Sequence, residues 1–202
     1  SLTSNGSVIS PLLRAESAHQ TLSYAQERQW FLWKLAPESD AYHITGGLIL
    51  EGMLDFTALQ NALDYILEKH DALRTRFVEH QDASVTQVIE HDVKADIQRL
   101  DCASPNADPE AFKSGLVRTP FDLTADQLLR VGLVTYANDK HELVVVMHHI
   151  ASDGWSVNLI IADFVAAYSA TIKGHVLEVT EQPRYSDYAH WQKQWLEEGE
   201  DA

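Results

Sequence analysis

Two adjacent histidines, His148 and His149, are followed closely by Asp153 and Gly154. Histidine has a reference pKa of about 6.5, so it takes up and releases protons readily near neutral pH. A loop of this length can return the aspartate beneath the backbone of His149, while the glycine exposes an amide N–H toward a substrate. The pattern is plausible for acyl transfer. Taken alone it is short, and paired histidines at the end of a strand are more often structural than catalytic.

The two histidines fall where a predicted strand gives way to a predicted helix. The run from Glu142 to His149 is almost continuously apolar before the histidines, which indicates a central strand covered on both faces. Apolar residues then recur with helical spacing from Val157 to Ile172, and Lys173-Gly174 indicates the end of that helix. Neighbouring strand residues point to opposite faces, so we expect only one of the two histidines to face a substrate.

The rest of the chain predicts alternating helices and strands. Ser23 and Gln26 have the spacing of a capping box, which favours a helix from there to about Leu35. The predicted strands are 43–50, 74–79, 84–90, 95–100, 128–136 and 142–149, and further helices are predicted near 59–69, 108–118, 157–172 and 185–198. Antiparallel pairing is expected for the strands that follow residue 74. Residues 1–21 are polar and lack a period, which predicts a linker or lead-in segment.

The composition and net charge disfavour several classes of function. The net charge of −15 disfavours binding to nucleic acid or to an anionic membrane. Neither a long apolar segment nor a basic leader is present, so we expect a soluble, cytoplasmic protein. Cys102 is the only cysteine, which excludes an internal disulfide and a cysteine-based zinc cage. A metal site at His148, His149 and Asp153 is disfavoured because adjacent strand residues diverge.

Four segments in order resemble the first four motifs of the condensation domains of nonribosomal peptide synthetases. They are Leu22–Leu32, His70–Phe77, Met147–Ser156 and Tyr185–Trp191. The second departs from the usual pattern, because Lys69 stands where arginine is usual and Asp71 where glutamate is usual. The third, which contains the paired histidines, has no serious departure. Any one match could be accidental, but four in order cover nearly the whole chain.

The resemblance implies the chloramphenicol-acetyltransferase-like fold. This is an α/β fold of the α+β sandwich type, with a mostly antiparallel sheet flanked by helices. The complete domain has two similar lobes arranged in a V, with the active site at their junction. Residues 22–202 are then the N-terminal lobe, and the motifs of the C-terminal lobe are absent from this sequence. We therefore expect the isolated lobe to be inactive.

The resemblance also implies the reaction. An upstream carrier protein presents a peptidyl or aminoacyl thioester on its phosphopantetheine arm, and the amine of an aminoacyl thioester on a downstream carrier attacks it. His149 would act as general base or as the hydrogen-bond acceptor that orients this amine, and the Gly154 amide would help bind the oxyanion. The chain itself would bind no cofactor, because the substrates arrive on the carriers.

Supporting roles are implied for His148, for Asp153 and for an arginine that could pair with Asp153. His148 would pack or hydrogen bond in support of the strand end. Asp153 would be a structural carboxylate whose partner in the family is an arginine of the second lobe, so in this chain it would be unpaired or would use Arg74 or Arg76.

Other hypotheses stay open. An epimerization domain and an ester-forming acyltransferase share the histidine motif, whereas a heterocyclization domain replaces the two histidines with aspartate. A non-catalytic module that binds carriers or recruits a tailoring enzyme would also keep the fold. An intact set of His148, His149, Asp153 and Gly154 argues against this last hypothesis.

Overall fold

A computed structural model describes residues 20–151, 156–175 and 177 of the chain. In this part the helices are α1 (Tyr24–Leu35), α2 (Phe56–Lys69), α3 (Pro109–Arg118) and α4 (Ser156–Ile172). The strands are β1 (Gln20–Thr21), β2 (His43–Glu51), β3 (Thr75–Glu79), β4 (Val85–Ile89), β5 (Ile97–Asp101), β6 (Leu129–Ala137) and β7 (Lys140–His148). Short 3-10 turns follow α2 and β7, at Asp71–Arg74 and His149–Ala151.

The strands form two sheets. One has the order β2-β7-β6-β5, and the other has the order β1-β4-β3. β6 and β7 pair antiparallel, as expected, and β7 is central, as its apolar run predicts. β1 belongs to the segment that the sequence predicts as a lead-in, and it pairs with β4.

One expected pairing is wrong. Ile97–Asp101 does not join β3 and β4 but lies at the edge of the four-stranded sheet, parallel to β6. The connection from β5 to β6 contains α3, and a crossover of this kind returns the chain in the same direction. The sheets remain mostly antiparallel, so the predicted fold class is confirmed.

Side-chain caps determine where the first three helices begin. The hydroxyl of Ser23 accepts a hydrogen bond from the Gln26 amide, and the Gln26 side chain accepts one from the Ser23 amide, so the predicted capping box is confirmed. Asp55 caps α2 through one hydrogen bond, which its side chain accepts from the Ala58 amide, so the helix starts before the predicted Leu59. Asp108 caps α3.

α4 buries a narrower stripe than its sequence predicts. Ile160 and Phe164 are buried, whereas Ile161, Val165 and Ile172 are exposed. Helices of this kind bury the residues that repeat every three to four positions, and the additional apolar residues fall outside that stripe. The predicted end is confirmed at Gly174, which has a φ of +72°.

Helix α3 lies closely against β6, and the contact depends on Gly132. A Cβ added at Gly132 would lie 2.2 Å from Cδ1 of Leu116 and 3.1 Å from Cε1 of Phe112, both on α3. These side chains belong to the packed interior, so they have little room to move. The absence of a side chain at this position therefore lets the helix approach the sheet.

We expect Gly132→Ala to lower the free energy of unfolding by about 1–3 kcal/mol, because the added methyl overpacks this contact. Gly115→Ala is the matched control: Gly115 lies within α3 and nothing lies within 4 Å of its added Cβ. Alanine is favoured over glycine inside a helix, so this variant should gain up to about 1 kcal/mol. Urea unfolding of both variants measures the difference. Equal stabilities would contradict the close α3–β6 contact.

Candidate active site

His149 follows the last residue of the central strand β7. Its side chain is exposed, and it opens the 3-10 turn at His149–Ala151. Its backbone N–H donates a hydrogen bond to the carbonyl oxygen of Tyr42 at 2.8 Å, directly before β2. Helix α1 also packs against this turn. The backbone of His149 is thus fixed while its imidazole remains accessible, as the strand-end position predicts.

His148 lies on the buried side. It is 1% exposed, and its Nδ1 accepts a hydrogen bond of 3.1 Å from the backbone N–H of Ile150. Nδ1 therefore carries no proton in this arrangement. Burial, with smaller effects from His43 and His149, lowers the pKa of His148 to about 4. His148 is neutral at physiological pH and buried within the fold, whereas His149 is exposed.

Aromatic rings enclose His148. Its ring centroid lies 6.1 Å from those of His43 and Phe121 and 6.4 Å from that of Tyr42. Phe121 is itself held in place: its carbonyl accepts a hydrogen bond of 2.9 Å from Nε1 of Trp33, and the guanidinium of Arg130 lies 4.1 Å from its ring centroid. The layer beneath the exposed histidine is therefore tightly packed.

His43 is the residue of this layer that sequence reasoning missed. It lies directly opposite His148 in the β2–β7 pair, a neighbour that becomes visible only when the register of the two strands is known. Its Nδ1 lies 2.6 Å from the carbonyl oxygen of Val117, at the end of α3. A carbonyl only accepts, so Nδ1 carries the proton. Its Nε2 is buried, and no described residue offers it a hydrogen bond.

Arg74 links α2 to β4. Its guanidinium donates hydrogen bonds to the carbonyl oxygens of Leu67, at 2.9 Å, and of Glu90. Asp153 and Gly154 lie outside the described residues, as does the predicted helix at 185–198. The pairing of Asp153 with Arg74 and the oxyanion role of Gly154 therefore stay predictions.

An ionic cluster ties α4 to the end of α2. Lys69 Nζ and His70 Nε2 lie 2.7 Å and 2.8 Å from the two carboxylate oxygens of Asp163. Burial would raise the pKa of Asp163, but the hydrogen bonds and charges of Lys69 and His70 outweigh it and lower that pKa. Lysine at position 69 thus still makes an ion pair, although arginine is usual there. The helix that follows the histidine motif is fastened to α2.

Among the described residues, no group of three or more His, Cys, Asp or Glu side chains is arranged to hold a metal ion. None of the helices α1–α4 combines the length and the apolar character needed to cross a membrane.

Solved structures with this fold are known. The starter condensation domain of rhizomide synthetase RzmA matches with a TM-score of 0.78 and 25% identity, over 89% of this chain and 44% of that one. The X-domain from teicoplanin biosynthesis, solved in complex with OxyB, matches with a TM-score of 0.77 and 28% identity, over 92% of this chain and 40% of that one. The described fold is therefore that of a condensation-type domain, of which this chain spans less than half.

Comparisons of the amino-acid sequence lead to the same class of domain as the structural matches. The family model described as "Condensation domain" matches residues 16–201. A linear gramicidin synthase protein of Brevibacillus parabrevis is 34% identical over 89% of the chain, and enniatin synthase of Fusarium equiseti is 34% identical over 85%. The chain spans 2% and 6% of the lengths of these two relatives. This chain belongs to the condensation domain family.

Proposed function

We propose that this chain is the N-terminal lobe of a domain that forms amide bonds in nonribosomal peptide synthesis. The donor would be a peptidyl or aminoacyl thioester, and the acceptor an aminoacyl thioester with a free amine. The observation that carries the proposal is the contrast between the two histidines: His149 is exposed on an anchored backbone, whereas His148 is buried and neutral. Only the former can meet a substrate.

In the proposed reaction the amine nitrogen attacks the thioester carbon, a C–N bond forms and the C–S bond breaks. The amine loses one proton, and the departing thiolate takes up one. A free α-amine has a pKa of about 7.7–8.0, so roughly a third is neutral at pH 7.5 and deprotonation contributes little. His149 therefore acts chiefly by accepting a hydrogen bond that orients the amine, and the Gly154 amide assists at the oxyanion.

The proposed partners follow from the same reaction. Two carrier proteins deliver the substrates on phosphopantetheine arms, and the C-terminal lobe completes the active site. The match to 44% of the RzmA domain supports an incomplete site in this chain alone. We also propose that the protein is cytoplasmic, as expected from the sequence.

Peptide formation between two loaded carrier proteins tests the proposal. The two-lobed domain that contains this chain is incubated with both carriers, and the dipeptidyl thioester is measured by mass spectrometry. We expect product only when both carriers are loaded. Inversion of the donor residue without product would favour an epimerization domain instead.

A second candidate function is recruitment without chemistry. It is favoured by the similarity to the X-domain, one of whose solved structures is a complex with OxyB. A module of this kind would bind a partner protein and give no product in the peptide assay. Binding of a carrier or tailoring enzyme without turnover would therefore favour recruitment over amide formation.

A further inference from the structure

Two neighbouring residues before and at the start of β2 hold two different parts of the molecule. Tyr42 accepts the backbone N–H of His149 at 2.8 Å through its carbonyl oxygen. His43, the next residue, donates from Nδ1 to the Val117 carbonyl oxygen at 2.6 Å. The peptide whose carbonyl holds His149 is therefore held both by its own N–H, which donates to the Asp40 carbonyl oxygen at 3.0 Å, and by the side-chain bond of His43.

The hydrogen bond from His43 to Val117 matters because of where β2 lies in its sheet. β2 is an edge strand, paired only with β7 among the described strands. Its residues Thr45, Gly46 and Gly47 are exposed, so side-chain packing contributes little there and the strand is held mainly by its backbone pairing with β7. His43 joins the start of β2 to the C-terminal end of α3, which packs on the sheet.

We infer that His43 is a positioning residue for His149, acting through its Nδ1–H bond to Val117 and the adjoining Tyr42 carbonyl. The inference rests on the proposed function. It assigns separate roles to the two ring nitrogens. Nδ1 holds the backbone, while Nε2 is buried without a partner among the described residues.

Packing alone does not account for a histidine at this place. The ring of His43 meets Phe121 edge-on at 5.0 Å between centroids, a contact that an apolar ring also makes. Nε2 of His43 is a buried acceptor without a partner among the described residues, which is unfavourable and which an apolar ring would not have. The feature that an apolar side chain cannot supply is the N–H donor to Val117.

Three variants of the complete two-lobed protein separate these roles. His43→Asn keeps an N–H donor one bond from Cγ, as Nδ1 is; His43→Gln carries its amide one bond farther out; His43→Leu has no donor. We expect the Asn variant to keep kcat within about threefold of the wild type, and the Gln and Leu variants to lose about tenfold or more. KM for both loaded carriers should stay unchanged, because His43 does not touch them.

A second measurement does not depend on turnover. Hydrogen–deuterium exchange of the His149 amide reports directly on its bond to Tyr42. We expect exchange about tenfold or more faster in the Gln and Leu variants and unchanged in the Asn variant. His141→Gln is the matched control. His141 is a buried histidine of β7 that pairs with Leu50, at the far end of the strand from His149, so exchange of the His149 amide should not change.

The outcomes separate a failure of the role inferred for His43 from a failure of the proposed function. Equal His149 exchange in all three variants, or equal loss of kcat in Asn and Gln, would overturn the role of His43. Absence of product in the wild type would overturn the proposed function alone, and the exchange measurement would still decide whether His43 holds His149.

Discussion

His149→Ala is expected to lower the rate of amide formation by at least about 100-fold, because it removes the acceptor that orients the attacking amine, and a misplacement of about 1 Å can cost on the order of 10² in rate. The substitution leaves the backbone bond from His149 to Tyr42 in place, because that bond uses no side-chain atom. It removes only an exposed ring. The rate of dipeptidyl thioester formation in the two-lobed protein, with both carriers saturating, measures the effect.

His91→Ala is the matched control for this loss. His91 is also exposed, but it lies between β4 and β5, away from the end of β7. We expect both variants to unfold within about 0.5 kcal/mol of the wild type, as exposed substitutions usually do. Unaltered turnover in His149→Ala would show that His149 is not used. A loss shared equally with His91→Ala would point to a cause other than the site.

The sequence predicts the elements of this fold well where local signals are strong. The capping box at Ser23, the amphipathic stripe of α2 and the apolar run of β7 all correspond to described elements. These signals act within a few residues, so they can be recognised without the tertiary structure. The position of His149 at the end of a central strand follows from them.

The missed features depend on contacts between distant segments. The parallel pairing of β5 with β6 follows from the crossover through α3. His43 meets His148 only through the register of β2 against β7, and Phe121 reaches both from the segment after α3. A single residue at the start of a strand, such as His43, or in a loop, such as Phe121, adds nothing to a periodic pattern, so no local signal identifies it. The buried layer beneath the turn at His149–Ala151 is therefore visible only in the structure.

That buried layer should make the protein sensitive to acid. The pKa of His148 is about 4 in the folded protein and 6.5 in its unperturbed state, with burial as the main cause. Between these two values the unfolded chain binds a proton that the folded protein does not bind, so stability falls as pH decreases. Above about pH 6.5 both states are neutral and the effect is absent. The full loss approaches about 3 kcal/mol.

His148→Asn tests this origin of the acid sensitivity. Asparagine does not titrate, and its side-chain oxygen can still accept from the Ile150 N–H, so the bond made by Nδ1 is kept. The loss of the ring from its contacts with Phe121 and Tyr42 should lower stability at pH 7. The further loss between pH 7 and pH 4.5, measured by urea unfolding, should be smaller than in the wild type by about 2 kcal/mol.

His70→Asn is needed beside it, because burial also lowers the pKa of His70, which then destabilises the fold in the same direction on acidification. Asp163 does not affect this comparison between pH 7 and pH 4.5. Its pKa is lowered from the ordinary value of 3.8, so its carboxylate stays ionised throughout that range. If the pH dependence of His148→Asn equals that of the wild type while His70→Asn flattens it, the acid sensitivity belongs to the α2–α4 cluster. If His148→Asn flattens it more, the neutral histidine beneath His149 is the main cause of the loss of stability in acid.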